Sequence, residues 1–273
     1  MLVSIVIPCY NSEHTIGKVV ELAIEEFEKL KDYECEFVLV NDYSRDGTWN
    51  AIHALAEKHP NVKGINLAKN FGQHNAIMAA MNHTEGDLII GMDDDMQNHP
   101  SQIPLFLDKI QEGYDIVFGV FKERKFSAFK NLTGAVSRFL LWHLLDRPKD
   151  IQMSSFWCCR RYVRDEIVKY DGYNIFLQVL FFRTTHNIAN IEIEHFEREV
   201  GTSNYNFRRN LSFRGSQTCD SRRPDGSADG RNDHEAECIP AAGDLPGRRR
   251  TGFQGPDRRE TDCAVHICTG TRK

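Results

Sequence analysis

The sequence predicts an α/β fold in which a mostly parallel, Rossmann-like sheet carries helices on both faces. Two observations carry that reading. Strand and helix periodicities alternate through residue 212, and the strands are short continuous apolar runs, the pattern of strands buried on both sides. A third bears on function: each of the first four strands is followed by a small polar cluster, and in such sheets ligands bind beyond the carboxyl ends of the strands.

Val3-Ser4-Ile5-Val6-Ile7 reads as the first strand, ending at Pro8, and 15–30 has apolar residues at helical spacing (Ile16, Val19, Val20, Ala23, Ile24, Phe27). Phe37 to Val40 is a second strand, followed by a helix over 48–58. Val62 to Leu67 is the third, with a helix over 73–82. Asp87 to Met92 is the fourth; Pro100 and Pro104 then open the next helix, ahead of a strand over 116–118.

The chain has 273 residues, 41% of them apolar, enough for a sizeable core. Its formal charge of −5 argues against general nucleic-acid affinity. Met1 leads into an apolar strand with no basic region before it and no cleavage site after it. No run reaches the roughly 18 to 20 apolar residues of a membrane span. The eight cysteines have no metal-type spacing, and adjacent Cys158 and Cys159 read as reduced thiols. These features predict a cytoplasmic protein.

Composition breaks near Phe213. Residues 1–212 hold 12 Lys and 11 Arg, whereas 213–273 hold 1 Lys and 10 Arg, with eight Gly and four Pro. The domain expected is 1–212. The tail 213–273 has too little apolar surface to offset its ordering entropy, and its swing to Arg, Gly and Pro reads either as a disordered extension or as codons read in a shifted frame.

The chemistry centres on Asp93-Asp94-Asp95. Three adjacent carboxylates repel one another unless something positive sits between them. Along an extended stretch Asp93 and Asp95 point the same way and Asp94 the opposite way, so the first and third can share one cation. A hard site with few protein oxygens suits Mg²⁺ or Mn²⁺ completed by phosphate oxygens. A solvated turn or helix cap is the alternative. His74, His83 and His99 read as solvated or capping groups rather than metal ligands.

"VSIVIPCYNSE", "EFVLVNDYSRDGT", "LAKNFGQHNAIMAAM", "EGDLIIGMDDDMQNHPSQIP" and "EREVGTSNYNF" resemble, in order and spacing, the successive motifs of inverting glycosyltransferase family 2. They are most similar to its branch of dolichol-phosphate mannose synthase-like and undecaprenyl-phosphate glycosyltransferases. The resemblance spans residues 2 to about 211. It implies the GT-A fold, a nucleotide-diphosphate sugar donor, and a metal held by a D-x-D motif, here Asp93 and Asp95, with Asp94 counted in the donor site.

By the same resemblance Pro8 and Tyr10 shape the base pocket, Asp42 faces the nucleobase, and Gln73 lies near the nucleotide and sugar. A carboxylate accepting from a ring N–H selects uracil-type bases, so a UDP-sugar is expected. Asp95 and Arg198 are the expected catalytic groups, Arg198 pairing with acceptor phosphate. Where many relatives place an aspartate base, the chain has Ser154-Ser155, with Asp150 nearby; Ser154 is the candidate there. Asn41 and Asn204 stand where the family commonly has Asp and Lys. The acceptor implied is a polyprenyl phosphate, whose phosphate, largely ionised at pH 7, needs no protein base; a saccharide of a surface polymer is the second choice. Peripheral attachment to the inner face of the plasma membrane follows, with the basic aromatic stretch 121–138 as a candidate contact. The rival reading is a catalytically impaired nucleotide-sugar-binding protein, since the aligned Asp, the Lys and the branch's membrane helices are all missing.

Overall fold

The structure, a computed structural model, describes residues 1–121, 151–172, 175–194, 196 and 266–269. The chain divides into two units, Met1–Gly201 with Cys263–Lys273 and Thr202–Asp262, and every described residue lies in the first.

The elements run β1 (Leu2–Cys9), α1 (Ile16–Glu28), β2 (Glu34–Asn41), α2 (Thr48–Lys58), β3 (Val62–Asn66), α3 (Gln73–Met81) and β4 (Leu88–Gly91). A 3₁₀ turn (Pro100–Gln102) leads into α4 (Ile103–Gln111). Then come β5 (Ile116–Phe121), β6 (Trp157–Arg160), α5 (Arg161–Ile167), α6 (Leu177–Thr184), β7 (Ile188–Ile193) and β8 (His266–Thr269). All strands and helices read from the sequence through β5 are present, with ends shifted by a few residues.

The eight strands form one sheet in the order β7-β5-β6-β4-β1-β2-β3-β8. β1 pairs in parallel with β2 and β4, β2 with β3, and β5 with β7. Helices cover both faces. One apolar core holds the buried faces of α1, α2 and α4; the other holds those of α3, α5 and α6. Adjacent Cys158 and Cys159 fall into opposite cores, as alternation along a strand requires, and both are free thiols.

Two elements depart from the sequence reading. β6 runs antiparallel between β4 and β5, two strands that follow one another in the parallel series. Its register pairs Trp157 with Gly91, where a Cβ would stand 2.2 Å from the indole, so only glycine lets the ring lie against β4. β8, inside the stretch read as a tail, runs antiparallel along β3 and covers an edge that would otherwise present unpaired backbone groups. The rest of 213–273 lies outside the described residues.

The chain winds from β1 through β2 to β3 on one side, then returns to place β4 on the other side of β1. That reversal opens a crevice at the carboxyl ends of β1 and β4. Pro8 marks where it begins. The carbonyls of Leu2 and Val6 accept the N–H groups of Asp87 and Met92, so the even residues of β1 address β4. Pro8 is the next in that series and has no N–H to give. The β1–β4 register accordingly ends at Val6 and Gly91, and the strands part.

Candidate active site at the strand ends

The three aspartates leave β4 at this crevice and separate. Asp93 turns sideways. Its Oδ1 accepts Gln73 Nε2 at 2.7 Å, and its Oδ2 accepts Asn98 Nδ2 at 3.1 Å and Ser155 Oγ at 2.5 Å. Gln73 is the first residue of α3, Asn98 belongs to the loop after β4, and Ser155 precedes β6. Three segments distant in sequence thus present neutral donors to one carboxylate. Hydrogen bonds to an ionised group are the stronger kind, so the charge is held in place.

Asp94 turns back into the crevice, where its Oδ2 accepts from the Ser12 hydroxyl and from the Tyr10 N–H at 3.3 Å. It bridges the parted ends of β1 and β4. Burial pushes its carboxyl up to about 7; the charges of Asp93 and Asp95 add to the rise, while Ser12 and Tyr10 restrain it. Asp95 folds onto its own loop, accepting the Gln97 N–H at 3.0 Å in an Asx turn. Repulsion within the triplet is therefore relieved in part before any cation binds: one charge is spread over neutral donors, one is weakened by burial, and one faces its loop.

Asp42, read from the sequence as facing the nucleobase, has both side-chain oxygens engaged with the loop before α3. It is 4% exposed, and its two oxygens accept the N–H groups of Phe71 and Gly72 at 2.7 and 2.8 Å. It anchors the loop entering α3, with a carboxylate at a helix N-terminus. Gly72 has φ 87, a left-handed conformation that glycine takes without strain. Burial raises the Asp42 carboxyl, and the two N–H groups oppose the rise. Asn41 links β2 to β3 through Asn66 at 2.7 Å and accepts the Ser44 N–H at 3.1 Å.

Ser154 does not reach Asp93. Its hydroxyl donates to the Phe156 carbonyl at 2.7 Å, and Ser155 makes the contact instead. Asn98 was not singled out from the sequence either, although its place five residues after Asp93 in a tight loop could have suggested it. His99 caps the 3₁₀ turn through Ser101 and stacks on Phe196, ring centroids 4.5 Å apart. That stack brings the segment before Arg198 to the loop after β4. Arg198, Asn204, Asp150 and 122–138 lie outside the described residues. Among the described residues no helix is long and apolar enough to cross a membrane, and no group of three or more His, Cys, Asp or Glu is arranged to hold a metal ion. A cation here would take one or two carboxylates and complete its shell from outside the protein, which fits the hard oxygens of Asp93 and Asp95.

Comparison with known proteins identifies the family and the fold. Residues 4–169 match the model of Glycosyl transferase family 2. The chain is 37% identical over 219 residues to the undecaprenyl-phosphate 4-deoxy-4-formamido-L-arabinose transferase of Shewanella sediminis (strain HAW-EB3), covering 77% of this chain and 64% of that one. It is 33% identical over 210 residues to the protein of the same name from Proteus mirabilis (strain HI4320), covering 75% and 63%. The chain therefore spans just under two thirds of these relatives. Glucosyl-3-phosphoglycerate synthase from Mycobacterium tuberculosis, in complex with Mn²⁺ and UDP-glucose, superposes with a TM-score of 0.53 at 20% identity over 73% of this chain and 72% of that one. Mannosyl-3-phosphoglycerate synthase from Rubrobacter xylanophilus gives 0.53 at 18% identity over 78% and 69%. Both likenesses concern the fold, that of GT-A glycosyltransferases.

Proposed function

The chain belongs to glycosyl transferase family 2, and from that premise we propose that it transfers a sugar from a nucleotide-diphosphate donor, a UDP-sugar, to a polyprenyl phosphate at the inner face of the plasma membrane. The observation that carries the reading is the cage around Asp93. A carboxylate fixed by Gln73, Asn98 and Ser155 at the crevice is a preorganised charge, which a solvated turn does not need.

In this reading Asp93 and Asp95 hold a Mg²⁺ or Mn²⁺ ion, which when bound offsets the negative charge growing on the leaving diphosphate. Gln73 and Ser155 keep the Asp93 carboxylate aimed, and Asp94 ties the loop after β4 to the loop after β1, so that both rims of the crevice move together. Pro8 and Tyr10 line the nucleotide side. Asp42 supports that side from behind, through the loop 70–72. Arg198 meets the acceptor phosphate.

The acceptor reading is supported by the two relatives named for undecaprenyl phosphate and by Ser155. The hydroxyls before β6 donate to the Phe156 carbonyl and to Asp93, and a neutral hydroxyl is a far weaker base than the aspartate many relatives carry there. An ionised phosphate acceptor attacks without one. The test is release of UDP from a panel of UDP-sugars with Mn²⁺, with and without undecaprenyl phosphate. Lipid-dependent turnover lost on Asp93→Asn is expected. Binding of UDP with no turnover toward lipid phosphate or saccharide would leave a donor-binding protein and overturn the proposal.

A further inference from the structure

Tyr43, the first residue beyond Asn41-Asp42 at the carboxyl end of β2, has φ 58 and is 53% exposed. Left-handed backbone is what glycine adopts freely and what a bulky L residue resists. Burial does not repay that strain here, since more than half of the residue faces solvent.

The conformation is imposed by the loops on either side. Ser44 N–H donates to Asn41 Oδ1 at 3.1 Å, Asn11 N–H donates to Ser44 Oγ at 3.0 Å, and Arg45 N–H donates to Asn11 Oδ1 at 3.2 Å. Asn11 is itself left-handed, at φ 57. The loops after β1 and β2 are thus laced together around a backbone that glycine would satisfy at lower cost. A tyrosine there brings a ring to the rim of the sheet, and the strain is kept for the sake of that ring.

We propose that Tyr43 is a further binding contact for the donor, its ring offering the face on which the nucleobase stacks. This rests on the nucleotide-sugar reading above. With the diphosphate at Asp93 and Asp95, beyond β4, the donor extends across the end of β1 toward β2, where Tyr43 stands. A flat heterocycle on an exposed phenol ring gains stacking without needing hydrogen bonds.

The experiment is isothermal titration of the full chain with UDP and Mn²⁺, on the wild type, Tyr43→Phe, Tyr43→Gly and Tyr43→Asn. Asn is included because it tolerates left-handed backbone without glycine's flexibility. Phe is expected to bind within about threefold of the wild type. Gly and Asn are expected to unfold at the same or a higher temperature yet bind UDP about ten- to hundredfold more weakly, with affinity for pyrophosphate, which has no base, unchanged. Equal UDP affinity in all four proteins overturns the role of Tyr43 and leaves the donor reading standing. An equal loss of pyrophosphate binding also overturns it, by showing loop collapse. A wild type that binds none of UDP, GDP and dTDP overturns both.

Discussion

Ser155 donates its hydroxyl to Asp93 Oδ2 at 2.5 Å across 62 residues of sequence, and Asn98 donates to both, at 3.1 Å to Asp93 and 3.3 Å to Ser155. On the proposed function the pair would act on the reaction through Asp93. Ser155→Ala and Asn98→Ala are each expected to lower kcat about ten- to hundredfold, the worth of one hydrogen bond to a charged group, and to raise the Mn²⁺ concentration needed for half-maximal rate. Ser154→Ala, whose hydroxyl faces the Phe156 carbonyl, is expected to stay close to wild type. Steady-state UDP release against metal concentration checks all three.

Asp42 holds the loop before α3 through two backbone N–H groups. Asp42→Ala leaves the N–H groups of Phe71 and Gly72 without their acceptor and removes a negative charge from the start of α3. A loss of about 2–4 kcal/mol is expected in urea unfolding. Asp93→Asn, by contrast, should unfold at nearly the wild-type midpoint while losing turnover.

Gly91 faces Trp157 across the β4–β6 pair. Gly91→Ala places a methyl where the indole already lies, 2.2 Å away, and the ring is fully enclosed. Overpacking of this kind costs about 1–3 kcal/mol, and a midpoint unchanged in chemical denaturation would count against the register described.

Most of this fold was legible because its parallel strands are uninterrupted apolar runs: Val3 to Ile7, Phe37 to Val40 and Leu88 to Ile90 announce themselves. β6 did not, since "WCCR" is four residues long and sits in the sheet by virtue of Gly91's missing side chain, a pairing 66 positions away that no local pattern encodes. At the site, residue types were readable and orientations were not. Asp42, Asp93 and Asp94 look alike as carboxylates after strands, yet one holds a loop, one is caged and one bridges two strand ends. Those choices depend on where Phe71, Ser155 and Ser12 arrive in space. Tyr43 was passed over for the same reason, because its backbone angle is set by Asn11 and Asn41 rather than by its own preference.

His74 contributes to the pH dependence with a definite sign. Its Nδ1 is buried without a hydrogen-bond partner among the described residues, its ring meets Phe176 edge-on at 5.2 Å, and burial holds its pKa below the ordinary 6.5. The unfolded chain takes up a proton near pH 6.5 and the folded chain resists it, so stability from this residue is present above pH 6.5 and is lost as pH falls through the folded value. Asp94, whose carboxyl is raised to about 7 in the folded chain, acts in the opposite sense over the same range, so the expectation is set on a difference: between pH 7.5 and 5.5 the urea midpoint of the wild type should fall relative to that of His74→Phe. Identical pH courses in the two proteins would show that His74 contributes nothing.

Donor and metal should stabilise the protein together. A ligand at a hundred times its dissociation constant contributes about 2.7 kcal/mol to the folded state, and for a domain of this size each kcal/mol raises Tm by about 2–4 °C. UDP with Mn²⁺ is thus expected to raise Tm by about 5–10 °C, and either alone by much less, because on the proposed function the diphosphate would complete the shell of a cation to which Asp93 and Asp95 would offer few oxygens. Chelation with EDTA should return the midpoint to that of the free protein. In Asp93→Asn the joint increment should disappear while the midpoint of the unliganded chain stays, since Gln73, Asn98 and Ser155 can still satisfy a neutral amide in part. A shift of equal size with UDP alone, insensitive to EDTA and to Asp93→Asn, would place the nucleotide on the loops after β1 and β2 without metal and remove the cation from the reading.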